Sequence, residues 1–253
     1  MTGSMTPAER GQFITIEGPD GGGKSTQARR LERALRDAGI PVLRTREPGG
    51  TPFGERVRDL LLADDHGPDR LDPLAEALLF NAARRQLVET VIRPAIEAGT
   101  TVICTRYADS TLAYQGFGAG LPLARLRAVQ ELATGGLTPD LTIVLDLPAE
   151  VGLDRKPAAD RTRFELGFDI EFHRRVRDGF LELAAAEPAR FAVVDARRPA
   201  DDVWGAVRTV VRERVERIGA VVVGEEKVPD SLAKRRAARL AGPEDGDAGI
   251  AQR

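Results

Sequence analysis

A chain of 253 residues with 42% hydrophobic and 5% aromatic side chains can bury a full core, and 37 basic against 39 acidic residues leave a formal net charge of −2. That balance gives no basis for a nucleic-acid or membrane partner, so neither is expected and any anion site must be local. The single cysteine, Cys104, allows no disulfide within the chain and sits in the apolar run TTVIC, where a small buried hydrophobe is expected. The N-terminus MTGSMTPAERG lacks the apolar core of a signal peptide and the apolar runs fall short of a membrane span, so a cytoplasmic location is expected.

In chain order, residues 1–10 read as disordered. Runs rich in β-branched residues then recur: QFITIE (12–17), PVLRTRE (41–47), TTVICTR (100–106), LTIVLDL (141–147) and FAVVDA (191–196). Helical segments stand between them. One spans 24–38 and stops at Gly39, and a long one starts near Asp72 with Leu74, Leu78, Leu87, Val88, Val91 and Ile92 on one stripe. Pro94 predicts a kink or break in it. Two more are expected over 168–186 and 200–217. Five strands alternating with helices predict an α/β fold, a five-stranded parallel sheet flanked by helices, in one domain over 11–218. From 224 to 253 apolar periodicity gives way to charge, Gly and Pro, predicting a flexible charged tail.

Between the first strand and first helix lies GPDGGGKST, residues 18–26. Gly18, Gly23, Lys24 and Ser25 match the spacing G-x-x-x-x-G-K-[ST] in the required strand, loop and helix context. Glycines, with Gly21 and Gly22 between the fixed positions, let successive backbone N–H groups turn inward on one anion, and the helix that continues through Thr26 adds its positive end. Lys24 supplies a point charge for the β and γ phosphates of ATP, and Ser25 a hydroxyl for Mg²⁺. The loop indicates a nucleotide and leaves the reaction open.

The second substrate must be read from elsewhere. REPGGT (46–51) puts Arg46 at the carboxyl edge of the sheet, where ligands of open α/β folds bind. Phe80 and Arg84, one helical turn apart, can stack on a planar base and donate to its carbonyl. After the third strand, Arg106 can clamp a phosphate while Ser110 and Gln115 offer hydrogen bonds near Tyr107 and Tyr114. AEVGLDRKPAADRTRFE (149–165) reads as a mobile lid, at about 149–166, whose Arg155, Arg161 or Arg163 can close on phosphates.

With F-I-x-x-E-G-x-D-G-x-G-K-S-T-Q (13–27), R-E-P-G-G-T (46–51), F-x-A-A-R (80–84) and R-Y-x-x-S-x-x-A-Y-Q-G (106–116) in place, the chain resembles the thymidylate kinases over residues 11–215. The resemblance implies a nucleoside-monophosphate-kinase fold, commonly a homodimer, that transfers the γ-phosphoryl of ATP to dTMP with Mg²⁺. It implies that Phe80 stacks on thymine, Arg84 binds an exocyclic oxygen, Arg46 and Arg106 hold the dTMP phosphate, Tyr114 lies against the deoxyribose and Gln115 reaches the base. Asp20 would lie near the acceptor sugar and metal-bound waters. Because Gly21 stands where some relatives carry an arginine, the catalytic arginine is expected from the lid, with Arg155 first.

One departure stands out. The family places aspartate before Arg-Tyr, and here that residue is Thr105, which weakens metal handling unless Asp20, Glu17 or Asp109 compensates. Two alternatives follow: a kinase for another pyrimidine monophosphate, or a nucleotide-binding regulator with weakened catalysis. The lid spelling DRTRFE leaves the register of Arg161 and Arg163 open.

Overall fold

A computed structural model of the chain describes residues 10–63, 71–157 and 162–215. Five strands, β1 (Phe13–Glu17), β2 (Val42–Arg46), β3 (Thr101–Thr105), β4 (Leu141–Asp146) and β5 (Phe191–Asp195), form one parallel sheet in the order β2-β3-β1-β4-β5. Each expected strand is present, trimmed by a residue or so at its ends. The helices are α1 (Lys24–Asp37), α2 (Pro52–Leu62), α3 (Pro73–Leu87), α4 (Arg93–Glu97), α5 (Ala108–Thr111), α6 (Leu123–Thr134), α7 (Ala149–Arg155), α8 (Arg163–Gly167), α9 (Ile170–Ala186) and α10 (Ala200–Arg214).

Alternation along the strands sorts side chains between two cores. Ile14, Ile16, Ile103, Ile143, Leu145 and Val194 face α1 and α10, where Ala28, Leu31, Leu35, Val203, Val207 and Val211 meet them. On the other face Phe13, Val102 and Cys104 pack on Leu87, Val88, Ile92 and Ile96, and Val144 and Phe191 pack on α9 through Val176, Phe180 and Leu183. Cys104 is buried, as its apolar run implied. With both faces covered and all strands parallel, every C-terminal strand end opens on one edge.

The long helix departs from its expected stripe. Leu87, Val88 and Ile92 are buried, but Leu74 and Leu78 are exposed. Leu87 stands nine residues past Leu78 in the regular helix, about half a turn round its axis, so the two cannot share a face; a π-helical turn follows at Val88–Ile92, just before Pro94. Pro94 falls at the start of α4, where its missing N–H is least costly. A second π-helical segment, Leu112–Gly118, carries Tyr114 and Gln115. Residues 1–9, the tail 224–253, Arg161 and the side chain of Arg163 lie outside the described residues. Among the described residues no helix is long and apolar enough to cross a membrane.

Candidate active site

The loop after β1 wraps the N-terminus of α1. Gly18 has φ 124°, and a Cβ there would come within 2.5 Å of the Leu145 carbonyl, so only glycine can start the turn. Gly21, at φ 74°, lies backbone to backbone on Gly152 of α7: a Cβ at Gly21 would come within 2.0 Å of the Gly152 carbonyl, and one at Gly152 within 2.2 Å of the Asp20 carbonyl. Gly22 is buried beneath the loop, while Gly23, Ser25 and Thr26 line its open side at least in part. Lys24 is folded back, Nζ donating to the carbonyls of Gly18 at 2.9 Å and Pro19 at 2.6 Å. Burial above all, then Arg106, pushes its ammonium down to about 7.

Beside this loop a cleft opens at the sheet edge. Its walls include Asp20, Phe80, Arg84, Arg106, Ser110, Tyr114 and Gln115, which therefore converge as the sequence implied. Arg106 is the hub. Its Nη2 donates to Asp20 Oδ1 at 2.6 Å and to the Tyr114 hydroxyl at 2.9 Å, and Nη1 donates to Ser110 Oγ at 3.2 Å. The Tyr114 hydroxyl donates to Asp20 Oδ2 at 2.7 Å. Burial disfavours the Asp20 carboxylate, but Arg106, Lys24 and Tyr114 outweigh it and hold the carboxyl well below its usual range.

Arg84, on the same cleft wall, is 1% exposed. Its Nε donates to Glu47 at 2.8 Å, Nη1 to Asn81 at 2.9 Å, and Nη2 to the Tyr107 carbonyl at 3.0 Å and to Thr111 at 3.1 Å. Four of five N–H groups are thereby fixed, leaving one on Nη1. Phe80 is half-buried on the same helix face, with Phe164 of α8 at 6.3 Å between ring centroids. Gln115 Nε2 donates to Glu76 at 3.1 Å, and both residues are buried.

Two expected residues stand apart from the cleft. Arg46 is half exposed and paired with Glu55 at 2.9 Å. Its place on the cleft wall is taken by Arg58 of α2, which also donates to the Pro48 carbonyl at 3.1 Å. Arg155 turns its guanidinium to the Ala196 and Arg197 carbonyls, at 2.7 and 2.8 Å, fastening α7 to the loop after β5. The adjacent Lys156 lines the cleft instead, close enough to influence both Asp20 and Lys24. Sequence reasoning missed Arg58, Lys156, Glu47 and Phe164. Arg58 was traceable: it stands four residues past the inward-facing Gly54, on the flank of the buried Gly54, Val57 and Leu61 stripe.

Thr105 shares a sheet face with Ile16 and Ile103, the face covered by α1, so it lies on the side where Lys24 and Ser25 begin their helix. Of the three carboxylates able to stand in for the family aspartate, Asp109 is taken by Arg190 through bonds of 2.7 and 3.0 Å. Glu17 follows Ile16 and faces the opposite side of the sheet. Asp20 lies in the phosphate loop itself, with its carboxylate held by Arg106 and Tyr114.

A phosphate loop at the head of α1, a cleft at the carboxyl edge and the strand order together define a P-loop nucleoside monophosphate kinase. The family model for thymidylate kinase matches residues 16–207. A thymidylate kinase of Deinococcus radiodurans is 53% identical over 205 residues, covering 81% of this chain and 98% of that protein. One from Thermomicrobium roseum is 52% identical over 205 residues, covering 79% and 96%. The crystal structure of thymidylate kinase from Ehrlichia chaffeensis superposes with a TM-score of 0.66 at 35% identity, over 80% of this chain and 99% of that one. The chain belongs to the thymidylate kinase family.

Proposed function

We propose that the protein transfers the γ-phosphoryl of ATP to the 5′-phosphate of dTMP, giving ADP and dTDP, and that the cleft beside the phosphate loop holds dTMP. The observation that carries this reading is Arg84, a guanidinium pinned by Glu47 and able only to donate, set one turn from Phe80 in a cleft that Arg106 and Arg58 also line. A fixed donor favours a base with a carbonyl over one with an amino group at the same place, so thymine is accepted and cytosine refused. Phe80 offers its ring to the base and Gln115 a polar contact. Arg106 and Arg58 take the monophosphate, and Tyr114, locked to Asp20 and Arg106, closes the sugar side.

Phosphoryl transfer between two anions is opposed by their repulsion, and the protein's contribution is placement and positive charge. Lys24 leaves its loop carbonyls for the β and γ phosphates, and the backbone N–H groups of residues 21–26 hold the remaining oxygens. Among the described lid residues Lys156 is the cation on the cleft wall, and Arg155 anchors the lid.

The residues fit Mg²⁺: the exposed Ser25 hydroxyl at the head of α1 is a hard oxygen donor, and a Cβ at Gly23 would meet nothing within 4 Å, so the cradle above is open. Among the described residues no cluster of three metal-binding side chains exists, in keeping with a cation held by one hydroxyl, phosphates and water. When bound, Mg²⁺ supplies charge neutralisation at the phosphates.

A cytoplasmic homodimer completes the reading, its dimer supported by the exposed Leu74 and Leu78 on α3 and Leu132 on α6. Coupled ADP-release assays with Mg²⁺ across dTMP, dUMP, dCMP and UMP test the assignment, with dTMP expected to give the highest kcat/KM. A preference for another monophosphate overturns the substrate. No turnover in the parent, with recovery in Thr105→Asp, overturns catalysis in favour of regulation.

A further inference from the structure

Glu17 ends β1 at the site edge with no exposed surface. Its Oε1 accepts the Tyr107 backbone N–H at 2.6 Å, and its Oε2 accepts the Ser110 hydroxyl at 2.7 Å. Ser110 Oγ in turn accepts from Arg106 Nη1. Between those two anchors Arg106 adopts φ 65°, the sole positive φ outside glycine among the described residues. Such a backbone is disfavoured for a bulky residue and persists only where its surroundings hold it.

The β1–β3 ladder explains how it is held. Arg106 N–H bonds the Ile16 carbonyl at 3.1 Å as a last regular rung, and the chain then leaves the sheet. The next N–H, on Tyr107, bonds the Glu17 side chain in place of a backbone carbonyl. One carboxylate thus grips the backbone just past Arg106 and the hydroxyl on which its guanidinium rests.

We propose that Glu17 is a positioning residue for the phosphate acceptor: by holding the Tyr107 N–H and the Ser110 hydroxyl, it keeps Arg106 in its left-handed turn and aims the guanidinium into the cleft. The inference rests on the reading of Arg106 as the cation that binds the dTMP phosphate. Burial first, then Asp109, pushes the Glu17 carboxyl up to about 7 against Ser110, Arg106 and the Tyr107 N–H, so its charge is held at a cost in stability. Lys24, Arg84 and Cys104 also feel that charge. A group serving only to fill space loses nothing by becoming glutamine.

The test titrates dTMP and, separately, ATP calorimetrically into the full-length parent, Glu17→Gln, Ser110→Ala, the double variant and Arg106→Ala, with Tm measured at pH 8. Each of the first two substitutions is expected to raise the Kd for dTMP about tenfold, and the double variant no further, because both act through one guanidinium. The Kd for ATP should stay within about twofold and the Tm of Glu17→Gln should equal or exceed the parent's. Unchanged dTMP affinity in Glu17→Gln, or penalties that multiply in the double variant, overturns the proposal. So does a Glu17→Gln protein that fails to fold or loses both ligands with a lowered Tm, which assigns Glu17 a structural role alone. Arg106→Ala separates the two levels: if it keeps dTMP affinity, the phosphate reading of Arg106 falls; if it loses affinity while Glu17→Gln does not, only the positioning role falls.

Discussion

Arg106 and Asp20 meet at 2.6 Å, the guanidinium from the end of β3 and the carboxylate from the phosphate loop, with both side chains less than one-fifth exposed. Asp20 thus occupies the cation that the proposed reading assigns to the substrate phosphate. Asp20→Asn should lower stability at pH 7 by about 1–2 kcal/mol, a Tm loss of about 3–6 °C, because Arg106 loses its counter-charge while part-buried. The Asp20 contribution is present above the ordinary carboxylate range and is lost only as pH falls well below it, since its folded carboxyl is depressed. Saturating dTMP should raise the Tm of Asp20→Asn more than that of the parent, as the phosphate replaces the missing carboxylate. Equal shifts in scanning fluorimetry would dissociate Asp20 from the anion site.

On the proposed reading Arg58 outranks Arg46 as the second phosphate ligand. Arg58 lines the cleft, and burial foremost, then Arg46 and Arg106, lowers its hold on a proton, a crowding of cations that a phosphate dianion relieves. Arg58→Ala should raise the Kd for dTMP about 10- to 100-fold, the worth of one charge-assisted contact. Arg46→Ala, which breaks an exposed pair with Glu55, should change it less than about threefold. Calorimetric titration of both variants ranks them directly.

Lys156 and Arg155 are neighbours with separate roles. Lys156→Ala should cut kcat about 10²-fold or more with dTMP affinity within threefold, as expected when a charge acts mainly in the transition state. Arg155→Ala unfastens α7 from the Ala196 and Arg197 carbonyls and should act chiefly on the KM for ATP. Steady-state kinetics showing the reverse split would return the catalytic role to Arg155.

Lys24 should report ATP binding as a proton. With its ammonium lowered to about 7, the lysine is largely neutral at pH 8, and the triphosphate raises its proton affinity, so binding takes a proton up. Titrations at pH 8 in buffers of different ionisation enthalpy should show uptake approaching about one proton, falling away by pH 6. Affinity should weaken as pH rises above 7. Uptake that persists in Lys24→Met would assign the proton to another group.

The sheet was legible because continuous apolar runs such as TIVLDL have only one stable place, buried on both faces. The phosphate loop was legible because its spacing is dictated by an anion's size and by turns that only glycine makes. Phase was less so. Leu74 and Leu78 sit one turn apart, yet Leu87 lies about half a turn round the same regular helix, so the expected stripe joined two faces, one exposed and one buried. The direction of a long cation was not readable either: Arg46 and Arg58 differ by which carboxylate and carbonyl stand nearby, and Arg155 by the carbonyls of a loop some forty residues away.

Gly21 and Gly152 touch through main-chain atoms, leaving no room for even a methyl group between the phosphate loop and α7. The first turns of α7 are therefore masonry shared with the loop's own foundation. Inserting any side chain at either glycine would pry apart the floor on which the phosphate loop stands.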